Sequence, residues 1–134
     1  MSENEGAAAL RTGAMAATIY MLIHAKYQRG DAMLKLRPNC EGCDKDLPPQ
    51  ATDARICSYE CTFCADCVAN LLSNVCPNCG GGFVPRPIRP STERRKGVSL
   101  ARHPASTERV HLSYDRDNIA AFAREVRDIP PERR

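Results

Sequence analysis

The apolar positions that predict elements of this chain fall into three short groups. The first group is the continuous run of residues 14–25, which is too short to cross a bilayer because a spanning helix needs about 20 apolar residues. Only Arg11 precedes the run and no convincing cleavage site follows it, so a signal peptide is not indicated. We expect residues 1–32 to be a largely disordered N-terminal extension with a possible short helix at this run.

The second group of apolar positions lies in the middle of the chain and predicts a short hairpin followed by a helix. We expect strands at residues 55–59 and 62–63, and a helix of about two turns that begins near Cys64 and includes residues 68–72. The apolar side chains around them predict a small core: Leu47, Ile56, Phe63, Val68, Leu71, Leu72, Val75 and Phe83.

The third group predicts an amphipathic helix from Asp115 to Asp128 near the C-terminus. Four apolar side chains recur at the spacing of one helical face, and Asp115 or Ser113 can cap the first turn. The face is formed by Ile119, Phe122, Ala123 and Val126. Pro130 and Pro131 end the helix, so the C-terminal helix is expected within residues 115–129.

Cysteine usage changes this picture, because the predicted core is too small to stabilise a domain alone. Aromatic residues make up 5% of the chain and Trp is absent, whereas all eight cysteines lie within forty residues. They form four closely spaced pairs, as two all-cysteine zinc sites require: Cys40 and Cys43, Cys57 and Cys61, Cys64 and Cys67, and Cys76 and Cys79. Zinc binding and folding are therefore expected to be one equilibrium.

Two groupings of the pairs are open. A sequential grouping leaves only eight residues between Cys67 and Cys76, less than the roughly 12 to 20 of simple zinc modules. An alternating grouping leaves loops of twenty and fourteen residues. It predicts a first site from Cys40, Cys43, Cys64 and Cys67, and a second site from Cys57, Cys61, Cys76 and Cys79. We favour the alternating grouping, with one Zn2+ ion in each site.

The spacing from Cys57 to Cys79 resembles the cross-brace of RING-type zinc domains, with Cys61 where that family usually has a histidine. The resemblance implies a ubiquitin-ligase surface, but the residues that would build it are missing. Glu41 and Gly42 stand where that family has a large apolar residue between the first two cysteines, and the helix carries no Trp. We therefore reject ligase activity.

A closer resemblance covers residues 33–90 and is carried by four runs. They are Met33-Leu34-Lys35-Leu36-Arg37-Pro38-Asn39-Cys40-Glu41, Cys43-Asp44-Lys45-Asp46-Leu47-Pro48-Pro49, Ala54-Arg55-Ile56-Cys57 and Cys76-Pro77-Asn78-Cys79-Gly80-Gly81. With these runs the chain is similar to a bacterial family of small cysteine-rich proteins of unknown function. The family has no assigned activity, so the resemblance supports a fold rather than a function.

The predicted fold is a small zinc-stabilised α+β module, a RING-like or treble-clef-like cross-brace with two all-cysteine sites. It is flanked by the N-terminal extension and by a C-terminal tail that ends in the amphipathic helix. The module is expected at residues 33–83, a Pro/Arg-rich linker at 84–114 and the helix at 115–129. Gly80, Gly81 and Gly82 are expected to form a flexible exit from the module.

Charge is distributed unevenly between these parts. Residues 33–83 carry four basic and six acidic side chains, and residues 84–134 carry twelve basic and seven acidic ones. Zinc-bound thiolates make the module more negative still, since eight thiolates outweigh two Zn2+ ions. We therefore favour the interpretation that the basic tail folds against its own acidic module over the interpretation that it binds an external anion.

A closed all-cysteine zinc site has no position for activated water, so we expect no enzymatic activity. His24, His103 and His111 lie outside the cysteine segment and are not expected to bind metal. The leading interpretation is a cytoplasmic module that binds another protein through residues 44–55 and 80–90, without contact with a membrane. An alternative is nucleic-acid binding by the arginine-rich segment 86–96, and a second is a thiol redox or metal sensor. Four disulfides remain an option in an oxidising compartment.

Overall fold

The computed structural model describes residues 33–134 of the 134-residue chain. The N-terminal extension 1–32, with its predicted short helix at 14–25 and His24, lies outside the described residues. Residues 35–134 form one compact unit. Within residues 33–134, no helix has the length and apolar character needed to cross a membrane.

A three-stranded antiparallel sheet lies at the centre of the unit. Strand β1 is Ala54–Ile56, β2 is Thr62–Cys64 and β3 is Val84–Pro85, in the spatial order β2-β1-β3. Arg55 faces Phe63 on one side and Pro85 on the other. The predicted hairpin is confirmed, although its first strand ends at Ile56 because Tyr59 and Glu60 already belong to the turn, where Glu60 has a φ of 67°.

Helix α1, Ala65–Asn70, follows β2 directly and begins where the sequence predicts. Cys64 is its N-cap residue, and the Ala65 N–H donates to the Asp53 carbonyl at 2.8 Å. The helix ends before Leu72, because Ser73 and Asn74 take positive φ angles of 51° and 58° and turn the chain back.

The core lies between the sheet, α1 and the cysteine segments. Phe63 is fully buried and packs edge-to-face on Phe83, with 5.4 Å between ring centroids. Of the predicted core residues, Leu47, Ile56, Phe63, Leu72 and Val75 are buried, and Val68, Leu71 and Phe83 are partly buried against the same cluster. Leu36 and Ile119 are buried as well and come from outside the predicted set.

Helix α2, Arg116–Val126, is the predicted amphipathic helix. The Asp115 carboxylate accepts from the Asn118 N–H at 2.8 Å and caps it. Its inward face is the predicted one, since Ile119 and Ala123 are buried and Phe122 and Val126 are half-buried. A 3-10 turn, Pro131–Arg133, follows.

The last residues of the chain pack against the turn that holds Cys76 and Cys79. A Cβ atom built on Gly80 would lie 3.4 Å from the Phe122 ring, and one on Gly82 would lie 3.0 Å from Pro131. The Arg134 guanidinium donates to the Asn74 carbonyl at 2.7 Å. The expected flexible exit at Gly80–Gly82 is therefore wrong, because these glycines allow close approach of the C-terminal segment.

Residues 84–114 are packed against the module rather than extended away from it. The Ser106 N–H donates to the Leu36 carbonyl at 3.0 Å, and the Leu112 N–H to the Glu41 carbonyl at 3.0 Å. Arg109 forms ion pairs with Asp44 at 2.8 Å and with Asp46 at 2.9 Å. These contacts place part of the basic tail on the acidic module, as the charge distribution predicts.

Candidate metal centre

Four cysteine side chains form a first cluster: Cys40, Cys43, Cys64 and Cys67. All four sulfur atoms lie within 4.8 Å of one another, and those of Cys43 and Cys64 are 3.8 Å apart. The cluster joins the first and third pairs of the sequence, which is the alternating grouping. Such an arrangement can hold one metal ion.

A second cluster is formed by Cys57, Cys76 and Cys79, whose sulfur atoms also lie within 4.8 Å of one another. Cys61 is buried as well, and its sulfur accepts a hydrogen bond at 3.4 Å from the side-chain amide of Asn78, which lies between Cys76 and Cys79 in the chain. Cys61 does not belong to the group whose sulfur atoms all lie within 4.8 Å of one another. The structure thus brings together three of the four predicted ligands and leaves the fourth adjacent to two of them. All eight thiols are free, with no disulfide among residues 33–134.

The Cys40–Cys43 segment is a tight turn closed by two backbone hydrogen bonds. The Cys40 N–H donates to the Lys45 carbonyl at 2.8 Å, and the Asp44 N–H donates to the Cys40 carbonyl at 2.9 Å. Asp44 takes a φ of 64°, a left-handed conformation that Asp tolerates better than most residues. The turn directs both thiols to the same side of the chain.

The Cys76–Cys79 segment repeats this turn. The Cys76 N–H donates to the Gly81 carbonyl at 2.8 Å, and the Gly80 N–H donates to the Cys76 carbonyl at 2.7 Å. Gly80 has a φ of 80°, a left-handed conformation that glycine adopts without steric cost. The two turns therefore present cysteine pairs in the same way, one to each cluster.

Helix α1 supplies the other half of the first cluster. Cys64 caps the helix and Cys67 lies in its first turn, where exposed backbone N–H groups favour a thiolate. Asp66 lies in the same turn and complements the helix dipole.

Hydrogen bonds from nitrogen to sulfur are distributed unequally between the two clusters. In the first cluster, Cys40 accepts from the Gly42 N–H at 3.4 Å. Around the second cluster three sulfurs accept, each at 3.4 Å: Cys57 from the Tyr59 N–H, Cys61 from the Asn78 side-chain amide, and Cys79 from the Gly81 N–H. Such bonds withdraw electron density from a thiolate and orient it.

The pKa values of the buried thiols diverge because the thiols exchange hydrogen bonds. Hydrogen bonds from Cys61 and Cys76 lower the pKa of Cys57, and the same bond to Cys57 raises the pKa of Cys76. Burial raises the pKa of Cys67. Several thiolates packed this closely would repel one another, and a bound cation would offset that repulsion.

Glu41 lies between the two clusters and is buried, with 4% of its surface exposed. Its carboxylate accepts from the Thr62 N–H at 2.8 Å, from Arg37 at 3.4 Å and from the Asn78 amide at 3.5 Å. Burial raises the pKa of this carboxyl, while the bond from Thr62 opposes the rise. The Glu41 N–H also donates to the Thr62 carbonyl at 2.9 Å, so Glu41 covers the outer edge of β2.

Sequence reasoning did not find this role of Glu41. It treated the residue only as a departure from the RING-type pattern. Glu41 is an acidic residue between two closely spaced cysteines. A residue of this kind is ordinarily expected to face solvent, so the sequence alone did not indicate that it is buried.

The arginine-rich segment 86–96 needs one correction as a nucleic-acid interface. Arg86 is 4% exposed and donates to the carbonyls of Arg37 at 2.9 Å, Leu47 at 3.2 Å and Pro48 at 2.9 Å. It cannot reach a phosphate without unfolding this region. Arg94, Arg95 and Lys96 are exposed.

The two described histidines lie apart from both clusters. The His103 carbonyl accepts from Arg89 at 2.7 Å, and His111 Nδ1 lies 3.8 Å from Asp44 Oδ1. Neither imidazole belongs to a group of potential metal ligands among residues 33–134.

Comparison with known proteins places this arrangement in a family. Residues 33–89 match the family described as "Protein of unknown function (DUF1272)". A 78-residue stretch is 56% identical to an uncharacterized protein of Rhizobium meliloti (strain 1021), and the alignment covers 58% of this chain and 86% of that relative. No solved structure matches the chain.

Proposed function

The chain belongs to the DUF1272 family of proteins of unknown function, and from its two cysteine clusters we propose that it is a small non-enzymatic zinc protein that binds another protein. The observation that carries the proposal is the interleaving of the clusters along the chain. The first joins a cysteine pair in a tight turn to Cys64 and Cys67, and the second joins the other turn to Cys57, which precedes them in the chain. Filling both clusters with metal ties the two segments together.

The spacing and the donor atoms of the first cluster support zinc as its metal. A tetrahedral Zn2+ ion with Zn–S bonds near 2.3 Å separates its sulfur ligands by about 3.8 Å. The sulfur atoms of Cys43 and Cys64 are 3.8 Å apart. Four thiolates also match the preference of zinc for sulfur and exclude the hard cations, which take oxygen ligands.

We propose Cys61 as the fourth ligand of the second zinc site, beside Cys57, Cys76 and Cys79. The Asn78 side-chain amide donates to the Cys61 sulfur at 3.4 Å, and Asn78 lies in the turn between Cys76 and Cys79, so this thiol is near the turn that supplies two of the other ligands. Both sites would then be closed, with no position for a reacting water, which is why a structural rather than a catalytic role is proposed.

The geometry around Glu41 and Gly42 supports the rejection of a ligase role. Glu41 is turned into the protein, and a Cβ atom on Gly42 would lie 3.2 Å from the Cys67 sulfur and 3.3 Å from Leu71. No large apolar side chain is presented at this turn, where a RING-type domain contacts its conjugating enzyme.

The proposed protein-binding surface is the segment 84–88. Val84 and Ile88 are 60% and 52% exposed, whereas Asp44, Lys45 and Asp46 in the other candidate loop form ion pairs within the chain. Strand β3 lies at the sheet edge, but Pro85 has no N–H to offer a further strand. A partner would therefore bind apolar side chains here rather than add a strand.

The zinc proposal is tested by native mass spectrometry of protein purified under reducing conditions without added metal. We expect two zinc ions per chain, and eight titratable thiols after denaturation. Substituting 113Cd and following its coupling by NMR assigns the ligands, with Cys40 expected on the same metal as Cys64. Metal-free protein with four disulfides, or coupling of Cys40 to the metal bound by Cys57, would contradict the proposal.

The protein-binding proposal is tested by crosslinking in cells followed by capture of the full chain. We expect a crosslinked protein that is lost when Val84→Glu and Ile88→Glu are combined, because two buried charges in an apolar contact are costly. Val98→Glu is the matched control, since Val98 is 45% exposed but lies outside this segment. Equal capture by the double variant and the control would rule out this surface.

A further inference from the structure

The two proposed zinc sites differ in their exposure to solvent. In the first site, Cys43 is exposed and Cys67 is half-buried, whereas in the second site only Cys79 is exposed. Solvent and small reagents therefore reach more of the sulfur surface in the first site.

The sulfurs of the two sites differ in reactivity as well. A metal-bound thiolate keeps nucleophilic character, and each N–H bond to its sulfur reduces that character. The first site has one such bond, to Cys40, which is fully buried. Three of the four sulfurs in the second site accept one, including the exposed Cys79. Within residues 33–134, no N–H group donates to the accessible sulfurs of Cys43 and Cys67.

A cavity of about 320 Å³ opens beside the first site, with the sulfur-bearing residues Cys43, Cys64 and Cys67 in its wall. This volume is several times the roughly 30 Å³ that one water molecule occupies, so a peroxide molecule fits. Lys45, Arg116 and Asp66 also line the cavity. The Arg116 guanidinium can donate hydrogen bonds to a leaving hydroxide, whereas Lys45 is already ion-paired with Asp53.

We propose that the first site is a peroxide-reactive switch in which Cys43 is the attacking residue and Cys64 the resolving one. The inference rests on the proposed zinc binding and names a regulation of that same site. Small hydroperoxides are the class of reagent that it would take.

The reaction balances in two steps. The Cys43 sulfur attacks one peroxide oxygen, the O–O bond breaks, hydroxide leaves, and Cys43 becomes a sulfenic acid that no longer binds the metal. The Cys64 sulfur, 3.8 Å away, then attacks the oxidised sulfur and displaces the second hydroxide. Two thiolates lose two electrons and form a disulfide, and both peroxide oxygens leave as hydroxide. Two remaining thiolates do not retain the zinc, which passes to solvent.

The test begins with the two-zinc protein after removal of the reductant. Hydrogen peroxide is added, zinc release is followed with a chromogenic chelator, and thiols are mapped by differential alkylation and mass spectrometry. We expect one zinc ion to leave at least about ten times faster than the other, in line with the size of effects around metal ligands. Cys43 and Cys64 should be the first thiols lost, and dimedone should trap Cys43 at early times.

Release of both ions at one rate, or first oxidation at Cys79, would overturn the switch while leaving the zinc proposal intact. Protein that holds no zinc before peroxide is added would instead overturn the zinc proposal. The two failures are therefore separated by the first measurement of the series.

A variant tests the hydrogen-bond argument directly. Asn78→Leu removes the amide that donates to Cys61, so peroxide should release zinc from the second site faster and narrow the difference between the sites. Asn118→Leu makes the same change on the exposed surface of α2 and should leave both rates unchanged. An unchanged rate in Asn78→Leu would overturn the explanation of why the sites differ.

Discussion

Glu41 illustrates how much of this fold depends on single polar side chains. Its carboxylate bonds to Thr62, Arg37 and Asn78, and its backbone bonds to Thr62 and Leu112. One residue thus connects the first cysteine turn, strand β2, the second cysteine turn and the C-terminal segment. Because it is buried, each group that it satisfies would be left without water if it were removed.

Replacing Glu41 by Ala should lower the free energy of unfolding of the zinc-loaded protein by about 1–3 kcal/mol, because the Thr62 N–H loses its acceptor in a buried position. Glu41→Gln keeps an acceptor oxygen and should cost less. Urea unfolding, with zinc content measured before each experiment, checks both variants. Equal stability of Glu41→Ala and the parent would show that the carboxylate is not a structural centre.

At the scale of the element, helix α2 is the clearest example of a structure that depends on docking. It has eleven residues, close to the length below which isolated helices are marginal in water. Ile119 and Ala123 are buried, and Ile119 belongs to the same core cluster as Cys40 and Phe63. The helix is therefore part of the core around the cysteines.

Ile119→Ala should lower the free energy of unfolding by about 2–5 kcal/mol, because it leaves a cavity under the helix. Ile88→Ala makes the same change at a side chain that is 52% exposed, so a shift within about 0.5 kcal/mol is expected there. Chemical denaturation followed by far-UV circular dichroism measures both. A helix that docks independently of Ile119 would give the two variants equal stability.

The same helix shows what could be predicted from sequence and what could not. Its inward face was predicted because the spacing of Ile119, Phe122, Ala123 and Val126 is a local signal. Where the face docks was not predicted, because the contact between Phe122 and Gly80 joins residues that no short pattern connects. Cysteine spacing likewise predicted the grouping of the first cluster, yet it could not place Cys61 relative to Cys79. Arg86 was misread for the same reason, since its carbonyl partners lie up to 49 residues away.

At the scale of the whole molecule, the cysteine turns serve as platforms for the rest of the chain. Asp44, directly after the first turn, holds Arg109, and Gly80, directly after the second, meets Phe122 and the Arg134 side chain. Residues 106–134 therefore pack on turns whose shape depends on the proposed metals. Order should spread from the cysteine clusters to residues 106–134.

Removing zinc with a chelator under reducing conditions should therefore unfold residues 106–134 together with the module, because metal binding and folding are coupled. Limited trypsin digestion should then cut after Arg109, Arg116, Arg124 and Arg127, which the zinc-loaded protein should protect. Cleavage after Arg94, which is exposed, is expected in both states and serves as the control. An identical digestion pattern with and without chelator would show that residues 106–134 are ordered independently of the proposed metals.

Beside the two metals that we propose, Arg86 supplies an organising cation that belongs to the chain itself. Its guanidinium collects the carbonyl oxygens of Arg37, Leu47 and Pro48, much as a bound ion collects ligands. A metal can be lost to a chelator, to acid or to an oxidant, whereas a guanidinium that is part of the chain stays charged and cannot dissociate. The protein thus combines two cysteine clusters, whose proposed metals can be removed, with one permanent cation. If the proposed metals are lost and bound again, Arg86 keeps its charge throughout, so the carbonyls of Arg37, Leu47 and Pro48 meet the same cation when the chain refolds.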